Sequence, residues 1–294
     1  MDQSLSFYLE QHQALINDYL EDYITNKPIL SSLKTSMLYS IRAGGKRLRP
    51  ILMMAACEAF GGKKKDVLPV AAALEMIHTY SLIHDDLPAM DDDDLRRGQP
   101  TNHKKFDEAT AILAGDALLT LSFQTIMEAE GLSDIQKVHL VKKLSIASGA
   151  LGMVAGQLMD MESEGKEIPL ENLEQIHHLK TGRLISYALM SGAYIGGANE
   201  SQLQSLVETA DLLGIIFQIQ DDILDVSGNA AKLGKPVGSD TINNKSTYPG
   251  ILGIEGSLKT KNLYVNRAKT SLREAEVGNT MLFTLIDHLS DRDH

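Results

Sequence analysis

The chain has 294 residues, 43% of them apolar and 23% charged, with a single cysteine. That composition excludes wholesale disorder and fibrous repeats, and the length is enough to bury a substantial core. Thirty-nine acidic residues against 28 basic ones leave a formal charge of −11, which argues against nucleic acid as a partner, because such binders normally present a basic face.

The N-terminal residues show no basic start followed by an apolar run, so no secretory signal is read there. No stretch approaches the ~20 apolar residues of a membrane span, the longest comparable run being 51–57. Cys57 allows no intrachain disulfide and no thiolate metal cluster, and its neighbours Met53, Met54, Ala55 and Ala56 predict a buried thiol. A reducing, cytoplasmic setting is expected.

Two stretches of more than 60 residues, after Pro100 and after Pro169, carry no proline and are rich in helix formers. Period-two alternation is hard to find, so strands are not suggested. Helices are predicted over 3–24, 31–43, 47–60, 66–87, 107–129, 134–162, 170–196, 201–227, 255–275 and 279–290. Ser133 with Gln136 three residues on reads as a capping box. Pro169 stands where a helix would begin. The segment 226–250, with Gly228, Gly234, Pro236, Gly238 and Pro249, reads as a mobile loop or lid. No composition break marks a boundary, so 1–294 is expected to be one all-α domain, a large helical bundle around a central cavity.

Two predicted helices, 70–84 and 206–220, are apolar around most of their circumference and belong inside the protein. Each runs into an aspartate cluster. The first is Asp85-Asp86-Leu87-Pro88-Ala89-Met90-Asp91, followed by Asp92, Asp93 and Asp94. The second is Asp221-Asp222-Ile223-Leu224-Asp225, whose outer members are four apart and share a helix face. Asp85 and Asp91 would not align on a regular helix, but Pro88 loosens it and brings Asp91 back toward Asp85. Carboxylates crowded at the negative pole of a helix repel one another. A hard divalent cation relieves that, and oxygen-only ligands point to Mg2+ before Ca2+ or Mn2+. Residues 91–94 alone would read as a solvated acidic turn. Paired motifs on two apolar helices are much harder to read that way.

Basic residues accompany both clusters: Gly44-Gly45-Lys46-Arg47-Leu48-Arg49-Pro50, then Arg96-Arg97-Gly98, then Lys180-Thr181-Gly182, and in the loop Lys232, Lys235 and Lys245. Arginine grips phosphate through a planar fork and lysine as a point charge. His78 lies seven residues before Asp85, close to two helical turns, and so faces the same cavity.

With these motifs in this order, the chain resembles the trans-isoprenyl diphosphate synthases, and within them the bacterial farnesyl branch. The likeness also rests on Leu95-Arg96-Arg97-Gly98, Gly156-Gln157-Leu158-Met159-Asp160, Phe217-Gln218-Ile219-Gln220 and Gly234-Lys235-Pro236. The resemblance implies an all-α isoprenoid-synthase fold, a homodimer and three Mg2+ ions. It implies condensation of an allylic diphosphate with isopentenyl diphosphate. Carried over residue by residue, Asp85, Asp91 and Asp221 would ligate metal, with Asp86, Asp222 and Asp225 as further ligands or their supports. Arg96, Lys180, Lys235 and Lys245 would hold the allylic diphosphate, and Lys46, Arg49, His78 and Arg97 the isopentenyl diphosphate. Thr181 and Gln218 would sit near the allylic cation. Tyr80 and Ser81, one turn below Asp85, would form the pocket wall. An aromatic residue five before the first aspartate goes with a fifteen-carbon product in that family, so farnesyl diphosphate is expected before geranylgeranyl diphosphate. The competing expectations are a terpene cyclase, disfavoured by the second Asp-Asp motif, and a non-catalytic partner subunit, disfavoured because no aspartate or phosphate ligand is missing.

Overall fold

The computed structural model describes residues 3–227, 246–278 and 280–291. The chain divides into two compact units, Met1–Met54 with Lys63–Val141, and Ala55–Gly62 with Lys142–His294.

The first unit contains α1 (Gln3–Asn26), α2 (Ser31–Arg42), the start of α3 (Leu48–Ala59), α4 (Lys64–Asp85), a hairpin of β1 (Leu95–Arg96) and β2 (Gln99–Pro100), α5 (Asn102–Lys105), α6 (Glu108–Met127) and the start of α7 (Asp134–Ser148). Helix α4 is its axis, packed on α6 along its length and against α1 and α2. Its run from Val70 to Ile77 is buried on every side, as its apolar circumference predicts. Asp107 begins α6 by accepting the Thr110 N–H through its side chain at 2.8 Å. Ser133 and Gln136 form the predicted reciprocal cap before α7.

The second unit contains α8 (Met153–Ser163), α9 (Leu170–His177), a π-helical segment (His178–Gly182), α10 (Arg183–Gly196), α11 (Glu200–Ser227), α12 (Tyr248–Glu274, bent at Gly253) and α13 (Met281–Asp291). Helix α11 packs on α12, α10 and the π segment. Leu173, Ile219, Ile223 and Tyr248 form a buried apolar cluster between α9, α11 and α12. Cys57 is fully buried.

Four expectations need correction. A two-residue antiparallel ladder does occur, with Arg96 opposite Gln99. Its loop residues Arg97 and Gly98 both have positive φ, 54° and 76°, the twist that lets two strands return after two residues. The predicted helix 134–162 breaks between Ser148 and Met153. Helix α12 begins at Tyr248, not 255, capped by Thr247 with Pro249 in its first turn, so 248–250 are helical, as are 226 and 227 at the end of α11; residues 228–245, with Lys232, Lys235 and Lys245 and most of the expected lid, lie outside the described residues. Finally, the helices at Lys64–Asp85 and Glu108–Met127 and the stretch Asp134–Ser163 are each long and apolar enough to cross a membrane. A search for unbroken apolar runs passes over them because a few charged residues interrupt each one. In Lys64–Asp85, 67% of the apolar window is buried inside the protein, against 39% and 33% in the other two.

Candidate active site

The first motif sits where α4 ends. Asp85 is its last residue, and the chain turns back at once: the Asp91 N–H donates to the Asp85 carbonyl at 2.9 Å and the Asp92 N–H to that of Leu87 at 3.1 Å. The expected return of Asp91 is therefore present in the backbone. Asp85 is half-buried and Asp91 exposed. Asp86 points inward at 3% exposure and accepts from Arg96 at 2.7 Å through Nε and 2.5 Å through Nη2. Desolvation raises its carboxyl above the ordinary range, against the lowering pull of Arg96. The pair fixes the guanidinium plane of Arg96.

The hairpin that carries Arg96 and Arg97 is moored to α2. The Tyr39 hydroxyl donates to the Pro100 carbonyl at 2.7 Å, and the buried Asn102 amide bonds Ser36 and Ser40. Arg97 lies over Gly45, where a Cβ would come within 2.5 Å of its guanidinium. Gly45 is held in turn by Gln13, whose amide donates to its carbonyl at 2.6 Å. Lys46 is exposed on the same turn. Arg49 reaches His78 at 3.4 Å between Nη1 and Nε2. Desolvation, and then the charges of Arg49, Arg97, Arg47 and Arg96, push His78 well below its ordinary range. A neutral imidazole ringed by guanidinium groups is a setting for a multiply charged anion. The resemblance groups Lys46, Arg49, His78 and Arg97, and the first unit brings Arg49, Arg97 and His78 together. Arg47 is different: it is buried in an ion pair with Glu75 at 2.6 Å, a structural role.

Tyr80 is 6% exposed, with its ring edge on His84 at 5.6 Å between centroids. Desolvation, aided by the Asp85 charge, pushes its hydroxyl up to about 12, so it is an uncharged wall. Ser81 donates to the His78 carbonyl at 2.9 Å.

In the second unit Asp221 and Asp225 are half-buried one turn apart on α11, while Asp222 is 4% exposed. Asp222 Oδ2 accepts the Tyr248 N–H at 2.9 Å and lies 3.7 Å from His177 Nε2. Both motifs thus use their second aspartate to tie the protein to itself. Lys180 and Thr181 lie in the π segment. Lys180 Nζ donates to Asp160 at 2.6 Å, and the Thr181 hydroxyl donates to Gln218 Oε1 at 3.1 Å. Neither the π segment nor the Lys180–Asp160 contact was foreseen, although Asp160 belongs to a recognised motif. A π bulge has no sequence signal, and such bulges favour functional sites.

Among the described residues, no three His, Cys, Asp or Glu side chains converge into a ready-made cage. Mg2+ does not require one, because it keeps waters and takes one or two carboxylates plus substrate phosphates. Asp85 at the end of α4 and, within the second unit, Asp221 and Asp225 on α11 are each half-buried carboxylates, the oxygen donors that ion takes.

Helical units that end apolar helices in Asp-Asp motifs, with arginines and lysines fixed beside them, are the parts of a diphosphate-handling enzyme. The chain belongs to the polyprenyl synthetase family, whose description matches residues 31–281. It is 47% identical over 296 residues to the farnesyl diphosphate synthase of Bacillus subtilis, covering 100% of both chains. Among solved structures it is similar to an FPP/GFPP synthase from Zymomonas mobilis, with a TM-score of 0.85, 34% identity and coverage of 99% and 100%. It is also similar to a geranyltransferase from Helicobacter pylori complexed with magnesium and isoprenyl diphosphate, with a TM-score of 0.81, 32% identity and coverage of 98% and 97%.

Proposed function

We propose that the protein is a farnesyl diphosphate synthase. It transfers the allylic group of dimethylallyl or geranyl diphosphate to isopentenyl diphosphate and releases diphosphate. The observation that carries this reading is the pairing of full-length similarity to such a synthase with a buried aromatic wall, Tyr80, one turn below Asp85.

Asp85, Asp91, Asp221 and Asp225 would hold Mg2+, three ions in all, and Asp86 and Asp222 orient their neighbours. Bound Mg2+ supplies charge neutralisation for the departing diphosphate. Arg96, aimed by Asp86, and Lys180, aimed by Asp160, bind the allylic diphosphate together with Lys235 and Lys245, whose roles rest on family membership alone. Such fixed cations favour ionisation because they need no reorganisation as charge develops. The hydroxyl of Thr181 and the amide of Gln218 turn their dipoles on the allylic cation. Lys46, Arg49, His78 and Arg97 hold isopentenyl diphosphate, whose double bond attacks that cation. The departed diphosphate then takes the proton. Apolar walls exclude the water that would quench the cation.

The family description spans both units, which supports one catalytic domain. A homodimer is part of the proposal. It is supported by Ile112, Leu113 and Met127, which leave α6 with an exposed apolar side that a second copy would cover. A cytoplasmic, non-spanning protein is also part of the proposal, supported by a single cysteine that allows no intrachain disulfide and by the burial of most of α4.

The test is incubation with Mg2+, isopentenyl diphosphate and either allylic starter, then chromatography of the dephosphorylated products. Farnesol as the main alcohol supports the proposal. Mainly twenty-carbon alcohol overturns the chain length, and no prenyl transfer overturns the activity.

A further inference from the structure

The π segment that carries Lys180 and Thr181 is gripped from several sides. A Cβ at Gly156 on α8 would come within 2.2 Å of the Lys180 nitrogen, and one at Gly214 on α11 within 2.3 Å of the Gly182 Cα. The Thr181–Gln218 bond ties the segment to α11 a second time. These contacts fix its far end. Its near end hangs on α9, and α9 is held by a polar cluster around Tyr248.

Glu174, one turn before the π segment, accepts two phenol hydroxyls from α12. Tyr248 donates at 2.8 Å and Tyr264 at 3.0 Å, both to Oε1. The Tyr248 ring is completely buried and stacks on His177 of α9, centroids 5.9 Å apart at 18°. Its backbone N–H is taken by Asp222 of α11. One tyrosine therefore joins α9 and α11 to α12. Desolvation and the Glu174 charge raise both hydroxyls above the ordinary phenol range, so they stay donors.

A π bulge inserts one residue into a helix, so its loss would rotate the residues beyond it by about 100°. Lys180 and Thr181 keep their direction only while α9 is prevented from turning to absorb that residue. We infer that Glu174 and Tyr248 are positioning residues: their clamp on α9 holds the π bulge and so aims Lys180 and Thr181 at the allylic diphosphate. This rests on the proposed division of substrates, in which the isopentenyl ligands belong to the other unit.

The experiment compares wild type with Glu174→Leu, Tyr248→Phe and the conservative Glu174→Gln, which keeps an acceptor oxygen. It measures KM for geranyl diphosphate, KM for isopentenyl diphosphate, and amide hydrogen exchange of residues 178–182. Loss of two part-buried hydrogen bonds predicts a roughly tenfold rise in KM for geranyl diphosphate in Glu174→Leu. KM for isopentenyl diphosphate stays within about twofold, and exchange in 178–182 accelerates about tenfold. Tyr248→Phe gives a smaller shift of the same kind, and Glu174→Gln recovers most of the loss. Equal shifts in both KM values, a fall in kcat alone, or unchanged exchange in 178–182 overturns the inference. Absence of prenyl transfer in wild type would overturn the proposed function instead, and the exchange measurement would still decide whether the clamp holds the segment.

Discussion

Glu75→Gln removes the carboxylate that neutralises a buried guanidinium and keeps the side-chain volume. Glu75 and Arg47 have side chains only 3% and 1% exposed, 2.6 Å apart. Arg47 also donates to Asn17 Oδ1 at 2.8 Å and to the Ile41 carbonyl at 2.6 Å, so it cannot swing to water without breaking both. Removing one partner of such a pair costs ~3–5 kcal/mol. Unfolding entropy of ~2.1 cal/mol/K per residue amounts to ~0.6 kcal/mol/K for a chain of this length, so Tm falls by about 5–8 °C. Arg47 also sits at φ 50° between Lys46 and Arg49, and its loosening disturbs the turn that presents them. KM for isopentenyl diphosphate therefore rises at temperatures where the variant is still folded. Calorimetry at pH 7 with steady-state kinetics at 25 °C measures both. A Tm within about 2 °C of wild type would refute the buried-charge reasoning.

The two aspartates of the first motif should separate in function. Asp85→Asn raises the Mg2+ concentration for half-maximal rate and lowers kcat by about 10²–10³-fold; Asp86→Asn leaves the Mg2+ requirement near wild type and raises KM for the allylic diphosphate, because Arg96 loses its carboxylate, both read from Mg2+ titrations. Tyr80→Ser opens the wall and lengthens the product beyond fifteen carbons; an unchanged product on chromatography contradicts the wall assignment. His78 has a depressed pKa in the folded state, so the unfolded chain binds its proton first. Stability is then lost as pH falls through the unfolded value of ~6.5, and His78→Gln makes that decline shallower in urea titrations between pH 7 and pH 5.

The helices were legible because their periodicity and proline punctuation are local. The ends of α4 and α11 were legible because each stops or carries an Asp-Asp motif. Asp91 returned toward Asp85 for the reason Pro88 gives: the helical ladder cannot continue past it. The hairpin was missed because Arg97-Gly98 lacks the Asn-Gly or Asp-Gly signal of such loops. The start of α12 was legible in principle, since Thr247 before Tyr248-Pro249 is a cap with an early proline after it, but the surrounding glycines and prolines drew it into the loop. The inward turn of Asp86 and Asp222 could not be read, because nothing in a doublet says which member meets Arg96 or the Tyr248 N–H. Those partners are set by packing of segments 10 and 26 residues away.

The proposed function stands or falls on one condensation per turnover between an allylic and an isopentenyl diphosphate. Mass spectrometry of the product from unlabelled geranyl diphosphate and uniformly 13C-labelled isopentenyl diphosphate, with Mg2+ present, detects that step. The expected product is farnesyl diphosphate carrying a single labelled five-carbon unit, with equimolar diphosphate released. Geranyl diphosphate recovered without label, or hydrolysed to geraniol without chain extension, would contradict it.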